Sequence, residues 1–463
     1  MAMGRRRKQR QGQIWVEEKT LVKGPSHPFY QRLNEVLERH GFDGFIEGLA
    51  AKFYAPRFGR PSLPPPVYFR LLLIGYFEGI DSERGIAWRV ADSFALREFL
   101  GLALTESPPD HSTISRNRRL LELEAHQEAF TWVLGVLAKE GVLRGKTLGI
   151  DATTLEANAA LRSIVRRDTG ASYEEFLRGL ASASGIETPT REDLAKLDRK
   201  RAKKGSNKEW TNPYDPDAKI TKMKDGRTHL AHKAEHAVDM ETGAVVAVTL
   251  QPADRGDTES FEETLDEAMG EISDVIEDEE AGEALSDQVV AEVVADKGYH
   301  SNAVLAARDQ VGIRTYISEP KRGRRNWQGK AAEKVAVYGN RRRIRGERGK
   351  RLLRRRGELM ERSFAHCYET GGMRRTHLRG HRNILKRLLV HVAGFNLGLV
   401  MRKVFGIGKP RVLQGLRAAL LRLVYAFFTA ICTCFRFRRS RALSSEIHPA
   451  GAMSFRIFVC AAK

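Results

Sequence analysis

Two aspartates and one of two glutamates are the residues here whose types and settings could do chemistry. Asp296 ends the valine-rich run "VVAEVVAD" and is followed at once by Lys-Gly-Tyr. An aspartate at the carboxyl end of a buried strand sits where open α/β sheets carry their sites. The alternative is a plain cap for the helix starting near Ser301. Asp151 lies in "KTLGIDATTLEAN", which reads as a strand. Two carboxylates held together repel unless a cation lies between them or one takes a proton. Hard oxygen ligands suit Mg²⁺, which binds one or two carboxylates together with substrate phosphates. Two such ions about 3.5–4 Å apart activate the attacking oxygen and stabilise the leaving one in phosphodiester chemistry. A third carboxylate is sought in "GELMERSFAHCYETGG", where Met360, Phe364 and Cys367 form a core-facing stripe. Glu361 lies at the edge of that stripe and Glu358 one turn earlier. Periodicity does not choose between them.

Asp151 and Asp296 are 145 positions apart, so a sheet must bring them together. From Gly145 the pattern is strand-like. "THLAHKAEHAVDMETGAVVAVTLQPA" reads as a hairpin turning at Met240 to Gly243. Phe261, Leu265, Met269, Ile272 and Ile276 mark an amphipathic helix. The valine strand, a helix over "SNAVLAARDQ" and a strand "IRTYIS" follow. The order strand, strand, strand, helix, strand, helix, strand, helix is that of an α/β, ribonuclease H-like mixed sheet flanked by helices. In such a sheet the strands of Asp151 and Asp296 are neighbours. Two charged segments interrupt it, a helical insertion over about 159–212 and a stretch over 319–358. In the latter, ten of the sixteen positions 341–356 are Arg or Lys. Beside a site such a run would hold phosphates, whereas by itself it would be solvated surface.

Ahead of the sheet, "SLPPPVYFRLLLIGYFEGIDSERGIAWRVADSFALREFLGL" and "DHSTISRNRRLLELEAH" read as short helices. The last carries Ser115, Arg116 and Arg118, and the set suits an all-α, helix-turn-helix-like DNA-binding region. The formal charge of +20 arises from 78 Lys plus Arg against 58 Asp plus Glu. Basic clusters on an ordinary globular composition point to a polyanion, most often nucleic acid. The four cysteines make no disulfide framework or zinc motif, which fits a reducing cytoplasm. The basic start "MAMGRRRKQRQGQ" has no apolar segment after it and so is no signal peptide. The apolar stretch at 423–435 is shorter than the ~20 residues of a membrane span and reads as a packing helix.

Four pieces of the chain together resemble the bacterial insertion-sequence transposases of the DDE class, close to the insertion sequence 1182 group. They are "GIDATTLEANA", "NPYDPDAKITKMKDGRTHLAHKAEHAVDMETGAVV", "ADKGYHSN" and "MERSFAHCYETGGMRRTHLRG". The helical segment from "SLPPPVYF" to "DHSTISR" resembles that group's DNA-binding domain, so the likeness runs from about residue 55 to 405. It implies a metal-binding triad of Asp151, Asp296 and Glu361, because "ERSF" follows the glutamate as the family pattern wants. The related pattern Y-x2-R-x3-E-x6-K is not kept: Arg354, Gly357 and Tyr368 stand at its other positions, with Arg356 one residue off. Arg356, Arg374 and Arg375 are the candidates for gripping the phosphate at the cut.

The expected enzyme binds terminal inverted repeats, cleaves strands with Mg²⁺ (Mn²⁺ as a substitute) and transfers them into target DNA. It would act as a homodimer on double-stranded DNA in the cytoplasm, associated with the nucleoid and with no membrane partner. The alternatives are a stand-alone nuclease on the same fold and an inactive DNA-binding regulator. The expected domains are a basic arm (1–58), a helical DNA-binding domain (59–140), a catalytic domain (145–405) and a tail (406–463).

Overall fold

The computed structural model describes Met3 and residues 27–410, except 56–58, 60–61, 104–105, 202–204, 224–225, 322 and 324. Much of the expected arm before residue 27 and most of the tail, with the apolar stretch at 423–435, lie outside the described residues.

Seven helices come first: α1 (Pro28–Arg39), α2 (Phe42–Ala50), α3 (Pro65–Glu78), α4 (Glu83–Ala91), α5 (Phe94–Phe99), α6 (His111–Leu120) and α7 (Leu123–Lys139). Residues 28–50 thus form two helices where an arm with one short helix was expected. α1 buries Phe29, Tyr30, Leu33, Val36 and Leu37, an apolar stripe at helical spacing. α3 is apolar all round and nearly all buried, as a central helix must be. Pro65 and Pro66 start it, where missing N–H groups cost nothing, and Gly79 ends it in the left-handed conformation.

The sheet begins with β1 (Thr147–Glu156). The insertion follows, with β2 (Val165–Arg166), α8 (Tyr173–Ala183), α9 (Arg191–Lys200) and β3 (Trp210–Thr211). It has a small core of its own, in which Ile164 and Trp210 pack with Ala157, Ala218 and Leu230. Next come β4 (Lys219–Lys222), β5 (Thr228–Asp239), β6 (Val245–Pro252), α10 (Asp257–Ile276), α11 (Glu279–Glu283), β7 (Glu292–Ala295), α12 (Asn302–Gln310) and β8 (Arg314–Ile317). β5 is antiparallel to β1 on one edge and shares its other edge between β6 and β4, while β1, β7 and β8 run parallel. The main strands therefore lie in the order β6-β5-β1-β7-β8. This mixed sheet flanked by helices is compatible with a ribonuclease H-like domain.

One helix reading is corrected. On α10, Phe261, Leu265 and Ile272 are buried, but Met269 and Ile276 are exposed and Ala268 and Val275 take their places. Steps of four overshoot a 3.6-residue turn, so the buried stripe alternates steps of three and four. The arginine-rich stretch is ordered as α13 (Ala331–Arg345) and α14 (Glu347–Phe364), followed by a π-helical turn, Ala365–Glu369. The last helix, α15 (His381–Phe405), is long and apolar enough to cross a membrane, yet 94% of its apolar window is buried inside the molecule. It packs against α3, α7 and β6, joining the helical region to the sheet.

Candidate active site

Asp151 and Asp296 meet because β1 and β7 are parallel neighbours. The register pairs Ile150 with Ala295, so the next residue on each strand is an aspartate. Asp296 follows the last residue of β7, and its Oδ1 accepts from the Gly298 amide at 2.7 Å. It therefore caps the short turn Lys297–Tyr299, while Ser301 caps α12 itself. Capping and a site role are compatible, since only one oxygen of Asp296 is used by this bond. Burial pushes the Asp151 carboxyl above the usual range; Arg356 pulls it down, and the charge of Asp296 pushes it up again. That last influence is the electrostatic signature of two carboxylates sharing a site.

Successive residues of a strand face opposite sides, so Asp151 and its partner across β5, His236, share one face. α14 covers that face. Arg356 Nη1 donates to Asp151 Oδ2 at 2.6 Å, while its Nε is buried without a partner. Two turns further along α14 and beyond, Ser363 (3.1 Å) and the Tyr368 hydroxyl (2.5 Å) hold His236 between them. Burial lowers the His236 pKa to about 3, which keeps the ring neutral.

The orientation of α14 separates the two glutamates. Leu359 approaches Gly243 in the β5–β6 turn, and Arg355 donates to the Glu241 carbonyl of the same turn. At about 100° per residue, Glu361 falls on the opposite flank of the helix, toward the carboxyl ends of β1 and β7. It is exposed there. Glu358 points away from the sheet and pairs with Arg362 at 2.8 Å. Among the described residues no three carboxylates, histidines or cysteines converge into a metal cage. The register brings the two aspartates together, and Glu361 is exposed on the helix that covers Asp151.

The candidate arginines divide. Arg356 is a counter-charge to Asp151 and not a free phosphate ligand. Arg374 donates to Thr153 Oγ1 (3.2 Å) and to the Thr154 carbonyl (3.1 Å), and it pairs with Glu369. Arg375 lies 3.7 Å from Glu156 with its side chain 59% exposed. Both enter because Arg374–Thr376 extends the sheet beside the end of β1, through bonds from Glu156 N to Arg374 O and from Thr376 N to Glu156 O. Tyr368, at the lysine position of the related pattern, is fully buried behind His236.

On α6, Arg116 is exposed and, among the described residues, bonds only Ser112 of its own helix. Arg118 is turned inward instead. It bonds Glu83 (2.8 Å), Asn383 (2.8 Å) and Ser115 (3.2 Å), which also occupies the Ser115 hydroxyl. Arg119, not singled out from sequence, is exposed on this helix. The polar run "HLAHKAEH" was also read only as part of a strand. Its His232, Lys233, Glu235 and His236 are all buried, and such polar residues in a core strand were the available signal.

Two family models match the chain. "Transposase domain (DUF772)" covers residues 17–120, and "Transposase DDE domain" covers residues 189–397. The chain carries a transposase DDE domain and is an enzyme of that class. No curated protein and no solved structure matches it. Asp296 and Glu361 lie inside the matched DDE span of the transposase, and Asp151 lies ahead of it. Enzymes of the DDE class use divalent metal ions.

Proposed function

We propose that this transposase binds the terminal inverted repeats of an insertion sequence, cleaves them at the carboxyl end of its sheet and joins the ends to target DNA. Asp151, Asp296 and Glu361 are the residues that would hold the divalent ions, Mg²⁺ in the cell with Mn²⁺ as a substitute. The reading rests above all on the parallel register that sets Asp151 beside Asp296. The donor set fits a hard cation, since two carboxylates meet at a strand end and one already recruits a guanidinium as counter-charge. When bound, the ions activate the attacking oxygen and stabilise the leaving one in each phosphodiester step.

The chain's own groups do the rest. Asp296 is aimed by the Gly298 amide, and Arg356 opposes the upward push of burial on the Asp151 carboxyl. Arg375, largely exposed beside the strand end, would receive phosphate oxygens, and Arg374 would do so only on release from Glu369. Arg116 on α6 and the exposed Arg342, Arg345, Arg351 and Arg354 of the basic helices add contacts along the DNA backbone. Processing both ends calls for a homodimer on DNA, acting in the cytoplasm at the nucleoid.

The test offers full-length protein paired repeat-end DNA and a target plasmid in Mg²⁺. Joined products are expected from the native chain and none from Asp296→Asn, even with pre-nicked ends. Cleavage without joining by the native chain would make it a nuclease. Cleavage by Asp296→Asn would return this aspartate to a capping role.

A further inference from the structure

Behind Asp296, on the sheet face away from α14, lies a closed network of charged groups that the proposed chemistry does not use. Lys233 and Glu235 are two residues apart on β5 and so share that face. They are 5% and 0% exposed. The Lys233 ammonium finds Asp257 Oδ1 at 2.7 Å, Ser260 Oγ at 2.9 Å, Glu235 Oε1 at 2.9 Å and, more distantly, the Arg255 carbonyl at 3.3 Å. Glu235 in turn accepts from Ser260, from Thr264 Oγ1 at 2.6 Å and from the Tyr299 hydroxyl at 3.1 Å.

Two of these groups grip the turn that carries Asp296. Tyr299 ends the turn and hangs on Glu235. Gly298 lies against Asp257, so closely that a Cβ there would sit 2.3 Å from Asp257 Oδ2. The Gly298 amide is the group that orients Asp296. A chain of contacts thus runs from Lys233 through Asp257 and Glu235 to the amide that aims the aspartate.

We infer that Lys233, acting with Glu235 and Asp257, is a positioning residue that fixes the Asp296 carboxylate for a divalent cation. The inference rests on the reading of Asp296 as a cation ligand. Without the ammonium, Glu235 and Asp257 are two carboxylates on one small turn with no charge between them. They separate, and the Gly298 amide moves with them. Hydration of that pocket would not restore the aim of the amide.

The experiment measures Mn²⁺ binding to the full-length protein on its end DNA, by electron paramagnetic resonance of the free ion. Lys233→Met and Asp257→Asn are expected to weaken binding about 10–100-fold, the usual cost of losing an outer partner of a metal ligand. Tyr299→Phe, which removes one hydroxyl, weakens it less, and Gly298→Ala weakens it by displacing Asp257. Affinity as in the native chain for a cooperatively melting Lys233→Met would overturn the inference. Should Lys233→Met not fold, unchanged affinity in both Tyr299→Phe and Gly298→Ala would overturn it equally. Asp296→Asn runs alongside. If it binds Mn²⁺ as the native chain does, the site reading fails, whatever the Lys233 variants do.

Discussion

The two faces of the sheet at its carboxyl end treat charge in opposite ways. Toward α10, the Lys233 ammonium bridges the fully buried Glu235 and the 41% exposed Asp257, and hydroxyls complete the Glu235 carboxylate. Toward α14, Asp151 has a single arginine, 28% of its side chain is exposed, and Arg356 keeps a buried Nε without a partner. A buried polar network is tolerable when complete and costly when partial. On the proposed reading, the α14 face would take the outside ligand and the network around the buried Glu235 would support it.

The largest test of that contrast is catalytic. Asp151→Asn removes a charge and almost no volume, so folding and DNA binding should persist while strand cleavage falls by orders of magnitude. Glu361→Gln should behave like it and Glu358→Gln should not, since Glu358 faces away from the sheet and pairs with Arg362. A strand-cleavage time course on labelled end DNA reads all three. Loss of activity in Glu358→Gln with retention in Glu361→Gln would mean that α14 turns its other flank to the DNA.

Stability should reverse the ranking. Lys233→Met strands the fully buried Glu235 carboxylate, while Asp257 stays in reach of water, and is expected to cost about 3–5 kcal/mol in urea unfolding. Arg356→Met should cost on the order of 1 kcal/mol, because water reaches Asp151 and replaces the lost partner. Equal losses would show that both faces are scaffold and would blur the distinction between site and support.

Much of this was legible in the sequence. Alternation, turn residues and the valine run placed the five main strands, with Asp296 at a strand ending and Asp151 inside a strand. Three things were not legible, for physical reasons. Helical periodicity could not tell a flank of α14 facing the strand ends from one facing water, which left Glu358 and Glu361 open. Arginine looks alike whether it meets phosphate or carboxylate, so Arg118 read as a DNA contact when its guanidinium bonds Glu83 and Asn383. In the basic run, too, Arg341 pairs with Glu319, Arg343 bonds Thr315, Arg348 pairs with Glu292 and Arg356 with Asp151. The Lys233 network escaped notice because its members lie on β5, at the start of α10 and after β7. Only the fold joins them.

The same contrast between satisfied and available charge applies to α6. Arg118→Ala removes three internal bonds and should lower stability by about 1–3 kcal/mol. Its effect on DNA affinity should come only through folding. Arg116→Ala, alone or with Arg119→Ala, should leave stability unchanged and weaken end binding by about 1–3 kcal/mol per specific contact. Thermal melts beside gel shifts on the full-length chain separate these outcomes. A native melt with lost binding in Arg118→Ala would mean that its internal partners release it on DNA.

The smallest expected effect concerns a buried carboxylate with no cation at all. Glu271 faces α7 from α10, and its one close partner among the described residues is the Thr131 hydroxyl, at 2.6 Å. Burial, with smaller pushes from Glu267 and Asp274, raises its pKa from 4.5 to about 8. Glu235, on the face covered by the same helix, has Lys233 and three hydroxyls; Glu271 takes a proton instead. A folded pKa above the unfolded one means that the folded state binds more protons between about 4.5 and 8. The stability so gained is complete below 4.5 and is lost as the pH rises through 8. Glu271→Gln keeps a carbonyl to accept from Thr131 and carries no charge at any pH. It should match the native chain near pH 5 and exceed it at pH 9, by on the order of 2 kcal/mol after allowance for partial hydration. Urea unfolding at the two pH values measures the difference. A Gln variant that follows the native pH curve would show that Glu271 is ionised in place, and that burial without a counter-charge is not what sets these two carboxylates apart.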